Sequence, residues 1–147
     1  TDKSDIGVLL EDGFSGIYNY FPSDDFTYAS NSSFWQRIQH DCTERGILFV
    51  PTVGPGYDNG EHYSFFDKSP IRHRESSEYY TRLWKQVHRS GSRVVMINSF
   101  NHFYERTNIE PVVERPDKKY TDDNWALEGQ PGTYIDITRE EIALFLA

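Results

Sequence analysis

The fold of this chain is decided by residues 93–111, which read RVVMINSFNHFYERTNIEP. The first six residues are mostly apolar and predict a short buried strand. The residues that follow place polar, aromatic and acidic side chains in the turn that leaves this strand. In parallel α/β folds, the loops at the carboxyl ends of the strands meet on one face, where the functional site lies. The stretch therefore predicts a parallel sheet with its site after this strand.

Helix and strand patterns alternate along the rest of the chain. Further strands are predicted at residues 14–21 and 47–50. Apolar residues at helical spacing predict helices over residues 4–11, 33–46, 79–91 and 138–146. The residues expected to cap the second and the last helix are Ser33 with Gln36 and Thr138 with Glu141. The helix over residues 79–91 is expected to bury one face, formed by Tyr79, Tyr80, Leu83, Trp84 and Val87.

Strands that alternate with helices indicate right-handed βαβ units and a parallel sheet. A complete (β/α)₈ barrel needs about 250 residues, whereas this chain has 147. The pattern therefore predicts an α/β fold that forms part of such a barrel. A small doubly wound α/β domain is the alternative. Long loops are expected at residues 58–76 and 117–133, where turn-forming residues are frequent.

The composition narrows the possible functions. The formal net charge of −8 argues against nucleic acid or an anionic membrane as the main partner. Aromatic residues make up 16% of the chain, which suits sugar binding as well as a packed core. The single cysteine, Cys42, excludes an internal disulfide. The chain begins at Thr1 and not at a methionine, which suggests a fragment or a processed product.

Three polar motifs follow the three predicted strands. Tyr20-Phe21-Pro22-Ser23-Asp24 ends the first strand, Gly54-Pro55-Gly56-Tyr57 follows the second, and Asn101 to Glu105 follow the third. All three are expected on the same face of the sheet because they follow the carboxyl ends of parallel strands. The two glycines around a proline form a sharp turn that allows close backbone approach to a ligand.

Several of these motifs together resemble glycoside hydrolase family 99, the endo-α-1,2-mannosidases of the Golgi and their bacterial relatives. The resemblance runs in order from about Gly13 to Glu110, and more loosely to residues 134–138. The segments that carry it are GIYNYF (16–21), FTY (26–28), FVPTVGPGY (49–57), YY (79–80) and SFN (99–101). It implies a (β/α)₈ TIM-barrel fold, of which this chain would supply about the C-terminal half, so that residues 1–147 form a partial barrel domain.

The resemblance also implies a mechanism. The family motif reads Ser-Phe-Asn-Glu-Trp-His-Glu-Gly-Thr-Gln-Ile-Glu. Its first glutamate is thought to deprotonate the sugar 2-hydroxyl, which then attacks the anomeric carbon and forms a 1,2-anhydro sugar. The second glutamate protonates the leaving oxygen and later activates water. In this sequence the second glutamate is Glu105, and the first position is occupied by His102, whose neutral imidazole could also serve as a base.

Further residues are assigned by position within the motifs. Arg106 replaces a family glycine, and its place beside Glu105 suggests a salt bridge to that carboxylate. No cofactor and no metal are implied. The residues expected to contact substrate are Tyr57, Asn101, Tyr104, Arg72 and Arg74.

Two classes of function remain open. The first is a glycosidase that acts on α-linked mannose- or glucose-containing glycans, such as N-glycans. The second is a carbohydrate-binding or scaffold homologue that has lost catalysis with the replacement of the first glutamate by His102. In both cases the remaining half of the barrel, or a partner chain, is needed to complete the sheet. The resemblance implies the Golgi lumen, the secretory pathway or the extracellular space as the location.

Overall fold

The structure is a computed structural model that describes residues 3–20, 23, 27–58, 71–111 and 132–147. Its helices are α1 (Lys3–Glu11), α2 (Trp35–Glu44), α3 (Glu78–Ser90) and α4 (Thr133–Phe145). Its strands are β1 (Gly16–Tyr18), β2 (Leu48–Val50), β3 (Thr52–Val53) and β4 (Met96–Ile97). Short 3₁₀ turns occupy Ser32–Phe34, Glu75–Ser77 and Phe103–Glu105. The predicted alternation of helices and strands is confirmed.

The strands form two small parallel pairs. β1 pairs with β2, with Gly16 opposite Leu48, and β3 pairs with β4, with Thr52 opposite Met96. β2 and β3 are separated only by Pro51, so one nearly continuous segment lies between β1 on one side and β4 on the other. The predicted parallel arrangement is therefore confirmed, although each strand is shorter than the sequence suggested.

The two faces of these strands differ in exposure. Phe49 and Val53 are fully buried on the face that packs against the helices. Tyr18, Leu48 and Met96 are exposed on the other face, because successive side chains of a strand point to opposite sides. The predicted burial of the strand over residues 93–98 is only partly correct, since Val95 and Ile97 are partly buried against the core whereas Val94 and Met96 are exposed.

The core lies between the sheet and helices α2 and α3. α2 contributes Trp35, Ile38 and Cys42, all of which are buried. The apolar face predicted for α3 is confirmed, since Tyr79, Tyr80, Leu83, Trp84 and Val87 are all fully buried. Residues at helical spacing lie on one side of a helix, so these five form one continuous buried face of α3.

Helix α4 packs on α3 through polar and aromatic contacts. The Tyr80 ring meets the Tyr134 ring edge-on, with 5.7 Å between centroids, and the Tyr80 hydroxyl lies 2.8 Å from Thr138 Oγ1. His88 Nε2 lies 2.7 Å from Glu141 Oε2. Thr138 also donates to the Tyr134 carbonyl at 2.6 Å. These contacts hold α4 against α3.

The helix caps differ from the prediction in two places. The 3₁₀ turn before α2 is capped by the Asn31 side chain, which accepts hydrogen bonds from the Ser33 amide and hydroxyl. The capping box at Ser33 was therefore wrong, because a 3₁₀ turn precedes the α-helix. Thr138 is also not a cap, since α4 already begins at Thr133 after Gly132, whose φ is +94°. Gly46 and Gly91 do adopt the left-handed conformation expected after a helix.

Parts of the two predicted loops, residues 59–70 and 112–131, lie outside the described residues, as does the end of the predicted first strand at Phe21. The loop expected at 58–76 ends in the 3₁₀ turn Glu75–Ser77. Among the helices that the structure describes, none has the length and hydropathy of a membrane span.

Candidate functional site

The ends of the strands converge around the carboxylate of Glu105. Tyr20 follows β1, and its hydroxyl donates a hydrogen bond to Glu105 Oε2 at 2.8 Å although the two residues are 85 positions apart. Asn98 follows β4, and its side-chain amide donates to the Tyr20 carbonyl at 2.9 Å. Parallel pairing places the carboxyl ends of β1 and β4 at the same edge. The predicted convergence of the first and third motifs is thereby confirmed.

Residues 99–110 form a loop that is held by its own backbone. The Ser99 amide donates to the Thr107 carbonyl at 2.9 Å, and the Ile109 amide donates to the Ser99 carbonyl at 2.9 Å. The Ser99 hydroxyl lies 2.9 Å from Thr107 Oγ1 and accepts from the His102 amide at 2.9 Å. Glu105 ends the 3₁₀ turn within this loop. These hydrogen bonds therefore fix the backbone positions of His102 and Glu105 within the loop.

His102 and Glu105 lie side by side at the open edge of this loop. His102 Nε2 is 3.7 Å from Glu105 Oε2, and the side chain of Glu105 is 13% exposed whereas that of His102 is 40% exposed. A protonated His102 would form an ion pair with the carboxylate at this distance, and a neutral one could exchange protons with a bound hydroxyl. The pair predicted from the motif is therefore in contact.

The surroundings of the Tyr20 phenol oppose the loss of its proton. Burial raises its pKa from 10.0 to about 12, and the hydrogen bond to Glu105 and the negative charge of Glu105 act in the same direction. A protonated phenol can donate but a phenolate cannot. Tyr20 therefore acts as a permanent donor that restricts where the Glu105 carboxylate can lie.

We expect Glu105→Gln to lower the pKa of Tyr20 from about 12 towards 10.0, since the charge that opposes phenolate formation is removed while burial remains. The pKa of Tyr20 is higher in the folded chain than in the unfolded chain. The contribution of the protonated Tyr20 phenol to the free energy of unfolding is thus fully present below pH 10 and is lost as the pH rises from 10.0 to about 12. A ¹³C NMR titration of the tyrosine Cζ resonances, assigned with Tyr20→Phe, measures the shift. An unchanged pKa would contradict the contact.

Arg106 does not pair with Glu105. Its Nη1 lies 3.3 Å from Asp58 Oδ2, and the partners of the Glu105 carboxylate are Tyr20 and His102. Arg106 has a left-handed backbone, with φ of +52°. The salt bridge suggested by adjacency was therefore wrong. The Asp58 amide also donates to the Glu105 carbonyl at 2.9 Å, so the segment after β3 braces the loop.

The residues predicted to contact substrate fall into two groups. Asn101 and Tyr104 are exposed on the loop beside Glu105, and Tyr104 is 69% exposed. Tyr57 is buried, and its backbone forms an antiparallel bridge with Arg72. The Arg72 guanidinium lies 5.2 Å from the centre of the Tyr79 ring. Arg74 is buried beneath the loop. Contact between these five residues and a substrate stays a prediction.

Two residues of the site, Asn98 and Asp58, were not predicted from the sequence, whereas Tyr20 belongs to the first of the three predicted strand-end motifs. Asn98 lies at the end of β4, and Asp58 directly follows the Gly-Pro-Gly-Tyr turn. Their positions at carboxyl ends of strands are the signal that could have indicated them. Within the described residues, no group of three or more His, Cys, Asp or Glu side chains could hold a metal ion.

Known proteins share this sequence pattern. The family model described as glycosyl hydrolase family 99 matches residues 1–145. The chain is 31% identical over 133 residues to a glycoprotein endo-alpha-1,2-mannosidase-like protein of Homo sapiens, a match that covers 89% of this chain and 28% of that protein. It is 31% identical over 135 residues to a glycoprotein endo-alpha-1,2-mannosidase of Xenopus laevis, covering 90% and 29%. The chain thus spans less than a third of these curated relatives.

The structure of this chain is also similar to solved structures. The solved structure of the GH99 endo-alpha-mannosidase from Bacteroides thetaiotaomicron matches with a TM-score of 0.79 at 29% sequence identity, covering 97% of this chain and 41% of that one. The resemblance inferred from the strand-end motifs is therefore confirmed over nearly the whole chain. On the sequence match and the structural match together, this chain belongs to glycosyl hydrolase family 99.

Proposed function

We propose that this chain forms the part of a glycoside hydrolase that carries an acid/base carboxylate, and that the enzyme cleaves α-linked mannose- or glucose-containing glycans. The observation that supports this most is the Glu105 carboxylate, which lies at the strand ends between the Tyr20 hydroxyl at 2.8 Å and His102 Nε2 at 3.7 Å. It occupies the position of the second glutamate in the family motif. A largely buried carboxyl at the strand ends is suited to proton transfer.

The proposed reaction proceeds through a 1,2-anhydro sugar. His102 accepts the proton of the sugar 2-hydroxyl while that oxygen attacks the anomeric carbon. At the same time the Glu105 carboxyl gives its proton to the leaving glycosidic oxygen, and the bond to that oxygen breaks. Water then opens the anhydro ring as Glu105 takes one of its protons and the 2-oxygen regains the proton held by His102. The general acid and the general base each contribute about 10²- to 10⁴-fold to such reactions.

We further propose that residues 1–147 are part of a (β/α)₈ barrel. Helices cover the sheet face that carries Phe49 and Val53, whereas Tyr18, Leu48 and Met96 are exposed on the opposite face. Helices outside and strands inside are the arrangement of such a barrel, whose interior is filled by side chains from all strands. Additional strands, from the remaining half of the barrel or from a partner chain, would cover the three exposed side chains.

The substrate and the location are inferred from the relatives alone. The human and Xenopus proteins are described as acting, or as resembling proteins that act, on α-1,2-linked mannose of glycoproteins. We infer an N-glycan or a related α-linked oligosaccharide as the substrate of the polypeptide that contains this chain. A secretory-pathway location, such as the Golgi lumen, follows from the same inference.

A specific observation supports a second function, namely sugar binding without catalysis. His102 stands where the family motif has its first glutamate, and its imidazole contacts Glu105. A cationic imidazole would stabilise a positively charged sugar transition state less well than a carboxylate. Under this alternative the chain keeps the barrel and the pocket but binds glycans only.

Turnover and binding of an α-1,2-linked mannose-containing oligosaccharide, measured on the polypeptide that contains this chain, separate the two functions. We expect turnover by the wild-type protein and a loss of about 10²-fold in kcat for His102→Ala. The matched control is His40→Ala, since His40 is exposed on α2. Sugar binding without wild-type turnover, with turnover gained in His102→Glu, would contradict the enzyme proposal and support the binding protein. If neither turnover nor binding occurs, both proposals fail.

A further inference from the structure

Arg74 lies beneath the loop that carries Glu105. Its Nη2 donates to the Asn108 carbonyl at 2.8 Å, to Asn108 Oδ1 at 3.1 Å and to the Arg106 carbonyl at 3.1 Å. The side chain is 3% exposed. A guanidinium presents its donors in a fixed plane, so it can hold several oxygens in one geometry. These three acceptors all belong to residues 106–108, the limb of the loop that directly follows Glu105.

Aromatic contact and backbone geometry keep Arg74 in place. The guanidinium lies 4.9 Å from the centre of the Tyr134 ring of α4, which provides a cation–π contact for the buried charge. The three residues after it, Glu75 to Ser77, have φ values of 53°, 50° and 77°. Left-handed backbone is unfavourable for residues other than glycine and persists only where the surrounding structure fixes it. This 3₁₀ turn, Glu75–Ser77, joins Arg74 directly to α3.

The limb that Arg74 holds also carries the hydrogen bonds that close the loop. Thr107 lies between Arg106 and Asn108, whose carbonyls accept hydrogen bonds from Arg74. The Thr107 carbonyl accepts a hydrogen bond from the Ser99 amide. On the other side of Glu105, the Glu105 carbonyl accepts from the Asp58 amide. The Asp58 amide therefore holds the Glu105 carbonyl itself, and Arg74 holds the carbonyls of Arg106 and Asn108 that follow it.

We propose that Arg74 is a positioning residue, which holds the loop over residues 99–110 so that Glu105 points at the scissile bond and which does not itself contact the glycan. This inference rests on the proposed role of Glu105. It replaces the substrate contact predicted for Arg74 from its motif. A displacement of about 1 Å at a reacting group can cost about 10²-fold in rate, so a residue with this role affects turnover more than binding.

Amide hydrogen exchange tests the positioning without any need for activity. In Arg74→Met, whose side chain can still pack on Tyr134, we expect the amides of Ser99, Thr107 and Ile109 to exchange about 10- to 100-fold faster, because hydrogen bonds from a charged donor are lost. The amides of α3 should keep their wild-type rates. The matched control is Arg82→Met, since Arg82 contacts the Tyr79 ring at 5.0 Å and Glu75 at 3.1 Å, outside the loop.

Kinetics on the polypeptide that contains this chain complete the test. Arg74→Met should lower kcat by about 10²-fold and change KM by less than about threefold. Wild-type exchange rates in the loop together with a raised KM would overturn the proposal in favour of substrate contact. Equal acceleration throughout α3 and α4 would overturn it in favour of a general structural role.

If Arg74→Met does not fold, a variant that removes only one of the hydrogen bonds from Arg74 can be used for the same test. Asn108→Ala removes the Oδ1 acceptor and leaves the guanidinium in place. The same three amides should exchange faster, by a smaller factor, and unchanged exchange there would contradict the proposal. If the loop loosens as expected while the wild-type polypeptide shows no turnover, the positioning of Glu105 stands and the proposed hydrolysis fails.

Discussion

Glu105→Gln should lower kcat for an α-1,2-linked oligosaccharide by about 10²- to 10⁴-fold in the polypeptide that contains this chain. The amide keeps the size of the side chain and can still accept the hydrogen bond from Tyr20, which lies 2.8 Å from Glu105 Oε2 in the wild type. It cannot deliver or take up a proton. The leaving oxygen would then depart unprotonated, and water would attack without a base. KM should change little, because the geometry of the loop is preserved.

Glu110→Gln is the matched control, since Glu110 lies in the same loop and its described contact is a hydrogen bond from its amide to the Phe100 carbonyl. Its kcat should stay within about threefold of the wild-type value, because exposed or peripheral carboxyls do not transfer the reacting proton. Turnover by Glu105→Gln at the wild-type rate would contradict the role of Glu105. A loss in both variants would indicate damage to the loop and not to the chemistry.

Trp35→Ala should reduce the free energy of unfolding by about 3–5 kcal/mol. Trp35 is the first residue of α2, and its side chain is fully buried in the core. Its indole NH donates a hydrogen bond to the Ala29 carbonyl at 2.8 Å. The substitution leaves a cavity and an unpaired buried carbonyl. Single domains have total stabilities of about 5–15 kcal/mol, so this change removes a large fraction. Urea unfolding followed by far-UV circular dichroism measures it.

The control for this substitution is Leu144→Ala on α4, where the side chain is 65% exposed. Its effect should stay within about 0.5 kcal/mol, since exposed apolar side chains gain little from the fold. A cost below about 1 kcal/mol for Trp35→Ala would contradict the described core. A large cost for Leu144→Ala would show instead that the outer face of α4 is covered in solution.

Helices were more predictable than strands in this chain. The face of α3 follows from the spacing of apolar residues, and Gly91 marks its end through the left-handed backbone that glycine permits. The length of a strand depends on how many residues of the neighbouring strand are available for backbone pairing. β1 was predicted over residues 14–21 but pairs only from Gly16 to Tyr18, because β2 ends at Val50. Local sequence carries no information about that limit.

Within the site, the residues that a motif supplies were predictable and their partners were not. Glu105 and His102 are three positions apart, so their contact follows from the sequence. The Tyr20 contact depends on the order of the strands. Arg74 shows another limit, since a guanidinium can bind either a sugar or backbone carbonyls, and only its burial distinguishes the two. Adjacency suggested the wrong partner for Arg106, whose guanidinium pairs with Asp58 from a different segment of the chain.

The 85-residue separation of Tyr20 and Glu105 also bears on how the chain folds. Contacts between distant positions must overcome the entropy of closing a long loop, and parallel pairing of this kind is intrinsically slow to form. Helix formation takes microseconds or less, so α2 and α3 can form well before β1 and β4 take their places. The carboxylate then acquires its phenol donor only in the last stages of folding. The hydrogen bond between Tyr20 and Glu105 is therefore complete only once β1 and β4 are both in place.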